Sequence, residues 1–338
     1  MAEVRDVRVG VSYFGNRYPE HARRDMRAIA ASGARFVVHA VSENDLRWNP
    51  GTIGELVAIG REEGLQPWFV PWALGGVFGG ESASYAVGEH PEACQRAGDG
   101  RHLPALCPRQ PVFRTLMVAW LDAAAAAGAE VVQWDELHLA LPHQPGGSDW
   151  ACRCGACQAA YEARFGEEMP GEATSEVAAL ARDLLATTLT WLVEESRARG
   201  LESSIVQLAD ASYDPAFWRT AASLPGVRYF GCTPFWYFYD IPVAEVDGFV
   251  SLWSERMVAA TAGSNAHPLG WVQAFQVPAG REAEIARAVE TMVRSGIDTI
   301  AVWSFLACAA MSGLAADDVG ATWSAVTSSI RRVAIDRD

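Results

Sequence analysis

Eight short apolar runs, each released into a polar turn or a helical stretch, constrain this chain more than any other feature. They cover residues 7–13, 35–41, 66–72, 130–134, 203–208, 227–232, 269–275 and 299–304, and they are rich in β-branched and aromatic side chains. Between them, apolar residues recur at helical spacing, as in Ile53, Leu56 and Val57, in Val177, Leu180, Leu184 and Leu192, and in Ile285, Ala288, Val289 and Met292. Glycines 33, 64, 128, 200 and 296 stand where such stretches stop. Strands that alternate with helices form a parallel sheet. Eight of them in 338 residues predict a single (β/α)8 TIM barrel spanning residues 1–338, with long loops after strands three and four. The rival, an open doubly wound sheet, lacks its G-x-G-x-x-G signature after the first strand. The helix at 112–127 is expected to turn Leu116, Ala119 and Trp120 toward the core.

Active sites of such barrels form at the C-terminal ends of the strands. Strand four runs directly into Asp135 and Glu136, with His138 close behind. The other strand ends offer Tyr13, His39, Trp72, Asp210, the aromatic run around Trp236, Gln273 and Trp303. Carboxyls among Trp and Tyr suit a sugar, because aromatic faces stack on the C–H faces of the ring and carboxylates hold hydroxyls, and both serve other neutral polar ligands as well. Glycoside hydrolysis needs two carboxyls, one of them protonated near neutral pH. Glu136 is the expected acid. Asp210, Asp135, Glu43 and Asp240 compete for the second role, with Asp210 favoured because strand five adjoins strand four.

Sixteen residues after Glu136, Cys152-x-Cys154-x-x-Cys157 crowds three thiols into six residues just before a helical pattern. Zinc takes four such ligands in a tetrahedron, and a fully thiolate shell is structural rather than catalytic. The fourth ligand must come from the loop after strand three, where Cys107 and Cys94 both lie. Cys232 and Cys308 sit on apolar segments and read as small core residues.

Three pieces in order resemble the family 42 β-galactosidases and their glycoside-hydrolase relatives. They are Leu106-Cys107-Pro108-Arg109-Gln110-Pro111-Val112-Phe113-Arg114, the strand ending in Glu136, and Cys152-x-Cys154-x-x-Cys157-Gln158 followed by Phe165-Gly166. The resemblance covers roughly residues 107–170. It implies a barrel, zinc on Cys107, Cys152, Cys154 and Cys157, and a proton-donating Glu136. Two positions depart from the family. Asp135 stands where the family has Asn, and the stretch Gly270-Trp271-Val272-Gln273-Ala274-Phe275-Gln276 holds no carboxylate where the family has its nucleophilic Glu. An amide cannot replace that nucleophile, which leaves an acid from another strand, a water activated by a more distant carboxylate, or no hydrolysis at all.

Lys and Arg number 27 against 41 Asp and Glu, a net charge of −14, which disfavours nucleic acid and anionic membrane as partners. No run reaches eighteen apolar residues. Seven cysteines, an odd number, and a charged opening MAEVRDVRVG without a cleavable apolar segment point to the cytoplasm. The expected partner is a small carbohydrate or glycoside substrate. The oligomeric state stays open, a homo-oligomer included. Three readings follow: a glycosidase, a sugar-binding barrel that has lost its chemistry, and a lyase or isomerase using Asp135 and Glu136 as acid and base.

Overall fold

The computed structural model describes residues 7–334 except Ser148 and Ala211; most of the charged opening segment lies outside the described residues. Eight parallel strands close into a barrel: β1 (Arg8–Tyr13), β2 (Phe36–Val41), β3 (Gln66–Pro71), β4 (Val131–Asp135), β5 (Glu202–Leu208), β6 (Val227–Thr233), β7 (His267–Gln273) and β8 (Thr299–Trp303). Each pairs with its neighbours in sequence, and β8 returns to β1 through Gly10 opposite Ala301 and Val11 opposite Val302. The fold is the (β/α)8 barrel that the strand rhythm predicts.

Helices ring the barrel because their entries and exits are encoded locally. Those at Pro19–Ala31, Pro50–Glu62, Pro111–Ala127 and Pro215–Ala222 each begin with proline in the first turn, where its fixed φ suits the helix and its missing N–H costs nothing. Thr174 caps Ser175–Ala198 by accepting from the Val177 amide. Along Pro111–Ala127 the buried face is Phe113, Met117, Trp120, Leu121 and Ala124. Leu116 is half-buried and Ala119 is exposed, so the apolar stripe lies a fraction of a turn from where the sequence placed it. The indole of Trp120 donates to the Val41 carbonyl at 3.0 Å and fixes this helix against the end of β2. Truncating so large a buried ring costs about 3–5 kcal/mol.

Inside the barrel, alternate residues of the strands meet. Phe36 stacks on Trp68 at 4.1 Å between ring centroids, and Trp68 meets Tyr229 in a tilted contact at 4.4 Å. Gly10 leaves room for this plug, since a Cβ there would fall 2.2 Å from the Phe36 ring. The plug fills the N-terminal half of the barrel and leaves the C-terminal mouth to the strand-end residues.

Two long connections crown that mouth. The one after β3 carries a short helix, Tyr85–Glu89, and a two-stranded hairpin, Cys94–Arg96 with His102–Leu106. The one after β4 is irregular and leans on the first. The Gly98 amide donates to Trp150, the Arg153 amide to Arg96 at 2.8 Å and the His138 amide to Val77. Around these contacts lies a hydrophobic cluster separate from the main core, holding Trp150, Tyr161, Met169, Val177 and four cysteines.

Candidate active site

A cavity of about 250 Å³ opens at the C-terminal end of the barrel. Its polar wall holds Gln133, Asp135, Glu136 and Thr233, with Glu81 from the loop after β3; Trp72, Phe235, Phe238, Trp271, Phe275 and Trp303 supply the aromatic wall. Gln133 and Asp135 share the inward face of β4 at period two. Glu136 follows with φ at +51°, a turn that aims the next side chain at the same space. Its Oε1 accepts from the Thr233 hydroxyl at 2.7 Å, and Asp135 Oδ1 accepts from the Gln133 amide at 3.1 Å.

The two acids lie close together. The position that a Cβ would take on Gly79 is 2.9 Å from Asp135 Oδ2 and 3.2 Å from Glu136 Oε2, so these oxygens are no more than about 6 Å apart. Burial pushes the Asp135 carboxyl well above its ordinary pKa, and the charges of Glu136 and Glu81 add to the rise. Glu136 is raised by burial too, opposed by the Thr233 hydrogen bond and reinforced by Asp210 and Glu81. Glu81 is raised by partial burial, opposed by a backbone N–H. The charge of Glu136 acts on Asp135, so their titrations are linked.

The remaining expected site residues divide. Trp72 and Trp303 line the cavity and stack on each other at 5.0 Å. His138 is absent from the wall, and its Nδ1–H donates to the Glu136 carbonyl at 2.6 Å, steadying the turn. Asp210 stands outside the lining, its carboxylate accepting from the amide and hydroxyl of Ser212, and reaches Glu136 through its charge alone. Tyr13 and His39 lie on the outward faces of β1 and β2, within the strand–helix layer. Tyr13 donates to Asp25 at 2.8 Å, and burial with the Arg17 charge pushes the fully enclosed His39 down to about 3. Trp236 is wholly buried in the main core, with Phe235 and Phe238 of the same run taking its place at the cavity. Gln273 is buried under the next loop, accepting from the Tyr237 amide and donating to the Phe275 carbonyl, and Gln276 is the amide that reaches the wall. Glu43 anchors the loop after β3, accepting from Gly75, Ser84 and Ala86. Sequence reasoning missed Glu81. Its signal was a carboxylate directly after Gly79-Gly80 in a loop too long to be a simple connection.

The sulfurs of Cys107, Cys152, Cys154 and Cys157 all lie within 4.8 Å of one another, buried, and those of Cys107 and Cys157 are 3.6 Å apart. Four ligands at about 2.3 Å from one tetrahedral ion have edges of roughly 3.8 Å, so the cluster is close to a metal-holding shell. None of the seven cysteines is paired in a disulfide. Cys94, the other candidate for the fourth ligand, faces the Val87 and His90 carbonyls instead. The Cys154 thiolate is favoured by hydrogen bonds from Cys107, Cys152 and Cys157. The cluster joins the end of the hairpin after β3 to the start of the helix Gly155–Phe165 after β4.

No protein-family profile matches the sequence, and no curated protein does. Solved structures share its fold. The catalytic domain of a β-amylase from Paenibacillus polymyxa superposes with a TM-score of 0.63 at 10% identity, covering 96% of this chain and 98% of that one. An endo-1,4-β-mannanase from Rhizomucor miehei gives 0.62 at 11%, covering 98% and 95%. An endo-β-1,4-mannanase from Thermotoga petrophila gives 0.61 at 7%, covering 99% and 78%. At such identities the likeness is one of fold, and the fold is the (β/α)8 barrel already described.

Proposed function

We propose that this protein is a carbohydrate-active enzyme that cleaves a glycosidic bond, with the Asp135–Glu136 pair as its proton source and a structural zinc ion beside the site. One observation carries the reading: two acids held in protonation-favouring surroundings at the end of β4, inside a cavity walled by Trp72, Trp271 and Trp303. The resemblance of residues 107–170 to family 42 β-galactosidases supports it, as does the occurrence of this fold in a β-amylase and two mannanases. Glu136 gives its proton to the leaving oxygen, and the electron pair of the broken C–O bond leaves with that oxygen. Glu81, exposed at the mouth, supplies negative charge against the cationic sugar that forms. Water adds to that sugar and returns a proton to the carboxylate. Zinc is the ion that the four-thiolate set of Cys107, Cys152, Cys154 and Cys157 fits, and with no open position it holds loops rather than substrate.

The test is a panel of aryl glycosides and oligosaccharides assayed with the wild type and with Glu136→Gln. Release of a new reducing end, lost in the variant, supports hydrolysis. A second reading, an isomerase or lyase passing protons between Asp135 and Glu136, draws on their closeness and on the lack of a carboxylate in the Gly270–Gln276 stretch. It predicts product without incorporation of oxygen from labelled water. Binding of sugar with no turnover at all would instead mark a carbohydrate receptor.

A further inference from the structure

A second cavity, of about 450 Å³, adjoins the first over the ends of β1 and β2. The two share Trp72, and a single loop borders both: Gly79, Gly80 and Glu81 face the acid cavity, while Ser82, Ala83 and Tyr85 face the second. Their partition is aromatic. Phe14, on the second cavity, stacks on Trp72 and on Trp303 at 5.3 Å each, and Trp303 lines the first. The two cavities therefore lie side by side across the mouth, with the Phe14–Trp72–Trp303 stack between them.

The chemistry of the second cavity is polar and neutral. Ser42, Asn44, Asn49 and Ser82 line it, together with the Tyr85 ring, whose hydroxyl donates to Asn44 at 3.2 Å. Its one ionic pair is closed on itself, because Arg17 grips Asp45 through Nε at 2.7 Å and Nη2 at 3.0 Å. Such a lining does not attract a phosphate or a carboxylate. It offers amides and hydroxyls to hydroxyls, and an aromatic face to a ring. Size points the same way. The acid cavity alone, about 250 Å³, falls below the roughly 300–1,000 Å³ of ordinary small-molecule sites, and the two together, about 700 Å³, fall within that range.

We infer that the second cavity is a subsite for further sugar units, and that the natural substrate is an oligosaccharide lying across Trp72 rather than a monosaccharide glycoside. The inference rests on the proposed glycosidic chemistry and names its substrate class. Contacts this far from the acids raise kcat/KM without altering the reacting groups.

Binding to Glu136→Gln, followed by tryptophan fluorescence, tests it. The probes are galactose, glucose and mannose against their β-1,4-linked tetrasaccharides. At least one tetrasaccharide should bind tenfold or more tightly than its monosaccharide. Adding Ala83→Trp, at an exposed position on the rim, should bring that ratio near one. Ser82→Trp, from the same loop, should act alike and guards against a local misfold at residue 83. Equal affinity for short and long sugars before any filling substitution overturns the subsite and leaves the carbohydrate reading standing. A tenfold preference that survives both fillings also overturns it. No binding of any of these sugars overturns both.

Discussion

The hydroxyl of Thr233, at the end of β6, donates to Glu136 Oε1 at 2.7 Å, reaching across β5 to an acid carried just beyond β4. This bond favours the charged form of an acid that burial otherwise protonates. Thr233→Val removes it and raises the Glu136 pKa further. If Glu136 works as an acid, the alkaline limb of the pH–activity profile moves to higher pH in the variant. A limb that stays put, or moves down, removes Glu136 from the proton-donor role.

Glu136→Gln should lower turnover by about 10²-fold or more, the usual worth of a general acid. Asp135→Asn should do comparable harm, because the two acids line one cavity and their titrations are linked. Asp210→Asn should cost less than about tenfold, since Asp210 stands outside the cavity wall and acts on Glu136 through its charge. Steady-state kinetics on a substrate with a poor leaving group ranks the three. An inactive Asp210→Asn beside an active Asp135→Asn would reverse the assignment.

Gly79→Ala places a methyl group 2.9 Å from Asp135 Oδ2 and 3.2 Å from Glu136 Oε2. Both carboxyl groups would have to shift from their present positions, so activity should fall by an order of magnitude or more, as expected when reacting groups are misplaced by about 1 Å. The circular dichroism spectrum and Tm should remain close to wild type. Full activity would mean that the acids do not need their present spacing.

Asp135 also bears on stability. Its folded pKa lies above its unfolded one, so its favourable contribution is complete below the unfolded value, near 3.9, and is lost as pH rises through the folded value. At neutral pH the buried acid is therefore a liability that Asn does not carry. Asp135→Asn should melt higher than wild type at pH 7, with the gap narrowing toward pH 4. A gap that is constant or opposite in sign removes the burial argument.

Metal analysis should find one zinc per chain. Cys154→Ser, or prolonged chelation, should lower Tm by at least about 5 °C while active-site titration of the surviving fold remains normal. No bound metal with four titratable thiols would dismiss the zinc.

All eight strands were legible because each is an apolar run bounded by turn residues, and Cys152, Cys154 and Cys157 because their spacing is dense, while Cys107 was chosen over Cys94 only through the resemblance. Direction was not legible. In a parallel barrel both faces of a strand are buried, so hydrophobicity does not say which residues point inward. Tyr13 and His39 fall on the outward parity of β1 and β2, as the burial of Val11 and Val37 among the helix-facing core shows. Gln273 has the inward parity, yet the loops after β6 and β7 claim its amide. Glu81 escaped because loop residues carry no period at all. Its place depends on the Glu43 anchor and on contacts with the loop after β4, which pair residues far apart in sequence.

A net charge of −14 also sorts what arrives at this mouth. Arg17, the cation on the second cavity wall, is already spoken for by Asp45. A phosphorylated or carboxylated molecule approaching the cleft is repelled at long range and finds no counter-ion at the wall. An uncharged molecule meets no such barrier. The charge of the whole chain thus acts as an electrostatic gatekeeper for the cleft, one that weakens as salt screens it.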